Sequence, residues 1–295
     1  MRPQPKDPLQ EAIDQACNGR AATLHAFLER HGALPGPRPN LKLAKAAAVA
    51  LVAKGPAGAQ LLLAMRKLGP GQAAEKTSGE FLPVVGVLGI GVEAARGVPD
   101  RIAEVLTELQ PFSEDPRGHV RGAVIPALRE VLEAHKDETV RALQTWTDGY
   151  LQGCAALDAI AEPVILQHMK DADELVARLQ EAFDLIDQAP RSHERSQGYR
   201  ALLRAIGATP AIVGKRFPAQ IARWLEERAT TQHPELREVI DKSIHAMRGA
   251  GVRHADLEQA QRALQDSERA PRDPRSYVGP TRSRGKKARS RGAQK

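Results

Sequence analysis

The chain has 295 residues, of which 42 % are hydrophobic but only 3 % aromatic, and a formal net charge of +7. So few aromatic side chains argue against β-sandwiches and barrels, whose strands rely on aromatic and β-branched residues, and the abundance of Ala and Leu suits closely packed helices. Two cysteines, Cys17 and Cys154, lie far apart outside any CxxC pair, which excludes a disulfide framework and points to a reduced, cytoplasmic setting.

The N-terminal stretch MRPQPKDPLQ has no apolar segment of the secretory type, and residues 1–8, rich in proline, are expected to be flexible. From Leu9 to about residue 266 the pattern is helical throughout. Apolar residues recur at i, i+3, i+4 and i+7 in RIAEVLTEL, ALREVLEAH, ELVARLQEAFDLI, QIARWLEE and ADLEQAQRAL. Proline and glycine punctuate the pattern at Gly55-Pro56, Gly69-Pro70-Gly71, Val98-Pro99-Asp100, Asp115-Pro116, Ala189-Pro190 and His233-Pro234. No run alternates with the period of a strand.

The stretch Phe81 to Val92 contains twelve uncharged residues, three of them glycine. That run is too short to cross a bilayer, so no membrane partner is expected. It reads instead as a buried helix with Pro83 in its first turn. Gly86, Gly89 and Gly91 each cost it about 1 kcal/mol relative to alanine, which is tolerable where neighbouring helices come close. Neither GVLGIG nor GATPAIVGKR has the spacing or flanking residues of a phosphate-binding loop.

Helices of similar length call for a repeat search. The helix following Asp115 and the helix following His233 align through Val120-Arg121 and Leu236-Arg237, with small or apolar residues four, seven and eight positions on. The same frame places Ala47, Val85, Val124, Cys154, Tyr199 and Ile240 at equivalent positions, separated by 30 to 45 residues. Asp115 to Leu128, with an Asp, four intervening residues, Val-Arg and then Ala-Leu, resembles a HEAT repeat. HPELREVIDKSI is similar but has Thr231 in place of the Asp. The resemblance implies an all-α fold: an α-solenoid of about six HEAT-like helix pairs over residues 9–266, followed by a disordered basic tail over 267–295. It implies that Asp115, Arg121 and Arg237 form a structural ladder of hydrogen bonds between repeats.

The residues supply no catalytic signature. No HExxH is present, and His168 with Asp171 and Asp173 reads as a polar loop that ends one helix and caps the next. Neither a cofactor nor a metal site is expected. Some HEAT-like solenoids resemble alkylbase-DNA glycosylases, which hold damaged DNA with Trp, Asp and Arg. Trp146, Asp148 and Tyr150, together with Trp224, are the candidates for such an alternative DNA site.

Of the 43 Lys and Arg, ten lie between Ser267 and Lys295 beside two acidic residues, so residues 1–266 carry a net charge of −1. Arg282, Arg284, Lys286, Lys287, Arg289, Arg291 and Lys295 form a cationic tail suited to DNA, RNA or an acidic partner through phosphate or carboxylate contacts. The expectation is therefore a cytoplasmic, non-enzymatic scaffold that holds a protein partner on a concave helical surface and touches nucleic acid through its tail.

Overall fold

The computed structural model describes residues 7–267, in which helix is the only regular secondary structure. Fifteen α-helices follow in order among these residues: α1 (Pro8–Cys17), α2 (Ala21–His31), α3 (Leu41–Val52), α4 (Pro56–Arg66), α5 (Phe81–Ala95), α6 (Ile102–Leu109), α7 (Gly118–His135), α8 (Asp137–Ala142), α9 (Tyr150–Ile160), α10 (Pro163–Leu166), α11 (Ala172–Asp187), α12 (Gln197–Val213), α13 (Pro218–Arg228), α14 (Pro234–Gly249) and α15 (Ala255–Asp266). Short 3-10 turns precede α5, α6, α7, α9 and α12.

The boundaries follow local chemistry. Prolines occupy the first turn of α1, α4, α13 and α14, where a missing N–H costs nothing. Side chains of Asp7, Asn40, Asp171 and Ser196 accept N–H groups at the starts of α1, α3, α11 and α12. The helix therefore begins at Pro8, inside the stretch expected to be flexible, because Asp7 caps it. Asp171 takes the amides of Asp173 and Glu174, as its position after the α10 segment suggested.

Six helices, α3, α5, α7, α9, α12 and α14, pack side by side in that order. The equivalent positions Ala47, Val85, Val124, Cys154, Tyr199 and Ile240 fall one on each, and all six are buried. Behind them lie α4, α6, α8, α11, α13 and α15, each in contact with one or more of the six. Apolar side chains from both sets meet in one continuous core.

Helix α5 is the most enclosed element: thirteen of its fifteen residues are buried. Helices α3 and α7 flank it, α4, α6 and α2 also touch it, and Lys45 of α3 reaches Glu130 of α7 in an ion pair. Together with the 3-10 turn before it, the helix forms an 18-residue stretch, Ser78–Ala95, of mean hydropathy 1.4. This is long and apolar enough to cross a membrane by length and composition, longer than the twelve-residue run suggested, because the turn at Ser78–Glu80 and the residues Glu93–Ala95 extend it. Within the fold 78 % of it is buried.

Two glycines make that enclosure possible. A Cβ on Gly86 would lie 2.5 Å from the Arg66 amide nitrogen, and a Cβ on Gly91 would lie 2.3 Å from the Ala127 carbonyl oxygen. Helices α4 and α7 thus approach α5 backbone to backbone. Gly122, in the middle of α7, is the opposite case, with nothing within 4 Å of a Cβ placed there. Gly91→Ala should lower stability by about 1–3 kcal/mol through overpacking, whereas Gly122→Ala should raise it by roughly 0.5–1 kcal/mol through helix propensity. Urea denaturation of the two variants checks both signs.

Candidate functional site

The polar ties between neighbouring helices come first, because they set the register of the surfaces. Asp115 precedes α7, and its carboxylate is held by Arg117, with Nη2 to Oδ2 at 2.8 Å and Nε to Oδ1 at 2.9 Å. The Arg117 side chain is 3 % exposed and continues across to the loop after α4, donating to the Leu68 carbonyl at 2.8 Å and the Ala73 carbonyl at 3.0 Å. Arg121 stays within its own connection, bonding the carbonyls of Asp115 and Pro116. The inter-unit role expected of Arg121 therefore belongs to Arg117, whose planar fork serves a carboxylate on one side and two carbonyls on the other. Arg237 does tie neighbouring segments: it bonds the Thr231 carbonyl, the Ser267 hydroxyl and the Leu264 carbonyl at the end of α15. Arg178 of α11 makes the same kind of tie to the Arg141 carbonyl at the end of α8.

A second set of ties runs along the N-terminal ends of the six-helix row. Fully buried Glu80 accepts from the Lys76 amide at 2.8 Å and the His119 amide at 3.2 Å, and its Oε2 meets His119 Nδ1 at 3.1 Å. The Tyr150 hydroxyl lies 2.9 Å from His193 Nδ1. The Tyr199 hydroxyl lies 3.2 Å from His233 Nε2 and donates to Glu235 at 2.9 Å. In each pair a histidine at the start of one helix, or for His193 in the 3-10 turn before α12, meets a side chain at or just before the start of the preceding helix in the row. Burial, and then the Glu235 carboxylate, push the Tyr199 hydroxyl well above its ordinary value, so it stays a donor.

Both tryptophans are interior. Trp146 has no exposed surface, and Trp224 is 2 % exposed, with Nε1 donating to Gln180 at 2.8 Å and its ring edge-on to Phe183. Asp148 is exposed and Tyr150 half-buried. These four residues do not form an accessible stacking platform, because the two large rings fill core space. No cluster of metal-ligating side chains occurs among the described residues. Residues Arg282, Arg284, Lys286, Lys287, Arg289, Arg291 and Lys295 lie outside the described residues.

What the row does present is a pair of adjoining grooves on its exposed side. One, of about 290 Å³, runs between α7, α9 and α12 over Gly122, Ile125, Leu151, Ala155 and Ala201, with Arg121, Asp158 and Arg204 at its rim. The next, of about 410 Å³, lies between α12 and α14, over Leu203, Gly207, Ala208 and Val239, with Arg200, Arg204, Glu235, Glu238 and Lys242 along its sides. Arg204 belongs to both, so the two form one surface across four helices. The floor is small and apolar and the rim carries both signs of charge. Pro126 gives no N–H to the Gly122 carbonyl four residues back, which leaves that acceptor without its helical partner on the groove floor.

Cys154 borders the first groove, 3.6 Å from an Asp158 carboxylate oxygen and 3.7 Å from Arg204 Nη2. Burial and then the Asp158 charge, against the opposing pull of Arg204, push its thiol up to about 11. At neutral pH it is a protonated packing group, not a nucleophile. The surface thus offers shape, apolar contact and charge. The repeat resemblance marked Arg121, whereas nothing local singled out Arg117, the residue directly after Asp115-Pro116. The Glu80, His193 and His233 ties had no sequence signal, since their partners lie 34 to 43 residues away.

Comparison with protein-family models, with curated proteins and with solved structures gives no match to this chain.

Burial alone would raise the Asp115 carboxyl, but the Arg117 hydrogen bonds and charge outweigh it and hold the group below its usual range. A depressed carboxyl stabilises above its unfolded value of about 3.9 and loses that contribution as pH falls through its lower folded value. Arg117→Met should cost about 1–3 kcal/mol near neutral pH by leaving the half-buried Asp115 carboxylate and the Leu68 and Ala73 carbonyls without their donor. It should also reverse the sign of this residue's contribution, so that acidification from pH 6 toward the ordinary carboxyl range relieves the variant rather than weakening it. Urea midpoints against pH for the two proteins read out the difference. At pH 8, Cys154 should alkylate with iodoacetamide far more slowly in the folded chain than in urea.

Proposed function

We propose that the chain is a HEAT-like α-solenoid that serves as a non-enzymatic binding scaffold in the cytoplasm, holding a protein partner on the exposed face of its inner helices. The observation that carries this reading is the continuous groove over α7, α9, α12 and α14, with its low apolar floor and rim of both charges. Such a surface suits a polypeptide, which brings apolar side chains and charges of both signs. It suits a duplex poorly, because phosphates would meet Asp158, Glu235 and Glu238 as well as the arginines. The order of helix contacts, each inner helix touching the next and backed by an outer one, supports the repeat reading. The glycosylase-like alternative would need Trp146 or Trp224 at the surface, and both are buried.

The basic segment after Ser267 supplies, on this reading, a weak and salt-sensitive contact with nucleic acid or an acidic protein. Where both sites act on one assembly, linkage multiplies their affinities.

A photo-crosslinking amino acid at Gly122, on the groove floor, should give a discrete polypeptide adduct in cells, and the same probe at exposed Gln259 of α15 should not. Equal adducts from both positions, or none from Gly122, would remove the scaffold reading. A labelled DNA duplex should bind the full chain at low salt, release at moderate salt, and fail to bind a chain ending at Ser267. Binding by the shortened chain would favour the DNA-processing alternative.

A further inference from the structure

We infer that the cleft between α12 and α14 receives one amphipathic helix of the partner, with acidic residues along one flank and basic residues along the other. This inference rests on the scaffold reading and specifies its partner.

The walls have the geometry that a third helix needs. Arg200, Leu203, Arg204 and Gly207 are spaced i, i+3, i+4 and i+7 on α12, and Glu235, Glu238, Val239 and Lys242 repeat that spacing on α14. These are the stripes by which one helix lies along another. Arg200 to Ala208 spans about 12 Å of axis, a little over two turns, enough for two or three anchoring side chains. Leu203 and Val239 make the floor apolar, and the only atom within 4 Å of a Cβ on Gly207 is Val239 Cγ2 at 3.7 Å. The backbone of α12 is therefore open to close approach. An edge-adding strand has no template here, because the chain offers no sheet edge among its described residues.

The charges specify the occupant. The α12 wall carries Arg200 and Arg204, and the α14 wall carries Glu235 and Glu238 with Lys242 one turn further on, a net negative charge, yet no ion pair crosses the cleft among the described residues. Arg200 makes none, Arg204 turns away to Asp158 at 3.1 Å, Glu238 pairs with Lys242 on its own helix, and Glu235 accepts the Tyr199 hydroxyl. A helix whose apolar stripe is bordered by Asp or Glu facing α12 and by Lys or Arg facing α14 complements both walls. A helix of one charge sign complements one wall and is repelled by the other.

The test uses the full chain and three dye-labelled, stapled helical peptides of three turns with the same leucine stripe. Their flanks are Glu on one side and Lys on the other, Glu on both, or Lys on both. Fluorescence anisotropy should show the mixed-flank peptide binding wild type about tenfold or more tighter than either single-sign peptide, a preference that weakens with salt. The variant R200E/R204E, with both walls acidic, should instead prefer the all-Lys peptide. Gly207→Leu, which fills the floor, should abolish binding of the mixed peptide. Circular dichroism confirms that each variant is folded. If wild type binds all three peptides alike or none, or if R200E/R204E keeps the wild-type preference, or if Gly207→Leu binds as well as wild type, the inference is overturned. Adducts at Gly122, in the neighbouring groove, would then still uphold the scaffold reading, and their absence would remove both.

Discussion

The structure depends on one close approach, that of α5 to its neighbours. An apolar helix surrounded on nearly every side must be reached by other helices at short distance, and side chains normally hold helix axes apart. Gly86 and Gly91 remove that obstacle at the two points where α4 and α7 come against its backbone. The propensity cost of those glycines is offset by the burial of thirteen residues of α5 and by the dispersion contacts that close packing adds. Because α5 lies second in the row of six and also touches α2, α4 and α6, its position sets where α3 and α7 lie, and α7 sets where α9 lies.

Apolar packing fixes spacing but leaves neighbouring units free to slide. The polar ties at their ends remove that freedom. Arg178 and Arg237 each extend from one helix to a carbonyl in the last turn of another, where four acceptors lack helical partners, and Arg117, just before α7, reaches two carbonyls of the loop after α4. Glu80 and the tyrosine–histidine pairs do the same at the opposite polarity, close to helix N-termini. Register set at both ends places the rims of the grooves, so that Arg200 and Arg204 of α12 line one cleft with Glu235 and Glu238 of α14 and no ion pair joins them among the described residues.

The grooves are open because Gly122, Ala155, Ala201, Gly207 and Ala208 stand in their floors among the larger Ile125, Leu151, Leu203 and Val239. Gly122 shows this most plainly: nothing in the chain crowds it, and Pro126 leaves its carbonyl without a helical donor. The same choice of small residues that packs α5 from within leaves room on the outside for another polypeptide.

The sequence by itself determined the helical class, the proline and glycine breaks between helices and the six equivalent inward positions. Each of these is local: a period of 3.6 residues, a proline that lacks an N–H, a cap beside its helix. Ala47, Val85, Val124, Cys154, Tyr199 and Ile240 were legible because burial of one face imposes the same short pattern on every unit. The concentration of positive charge after Ser267 was equally plain. The tertiary structure alone decided that Arg117 rather than Arg121 joins neighbouring units, that both tryptophans face inward, and that Arg200, Arg204, Glu235 and Glu238 line one cleft. These outcomes depend on where loops bring residues tens of positions apart, and on which of two similar side chains reaches an unpaired carbonyl first. No local pattern encodes that, because the energy of such a contact depends on distance in space and the spacing of residues along the chain does not set it.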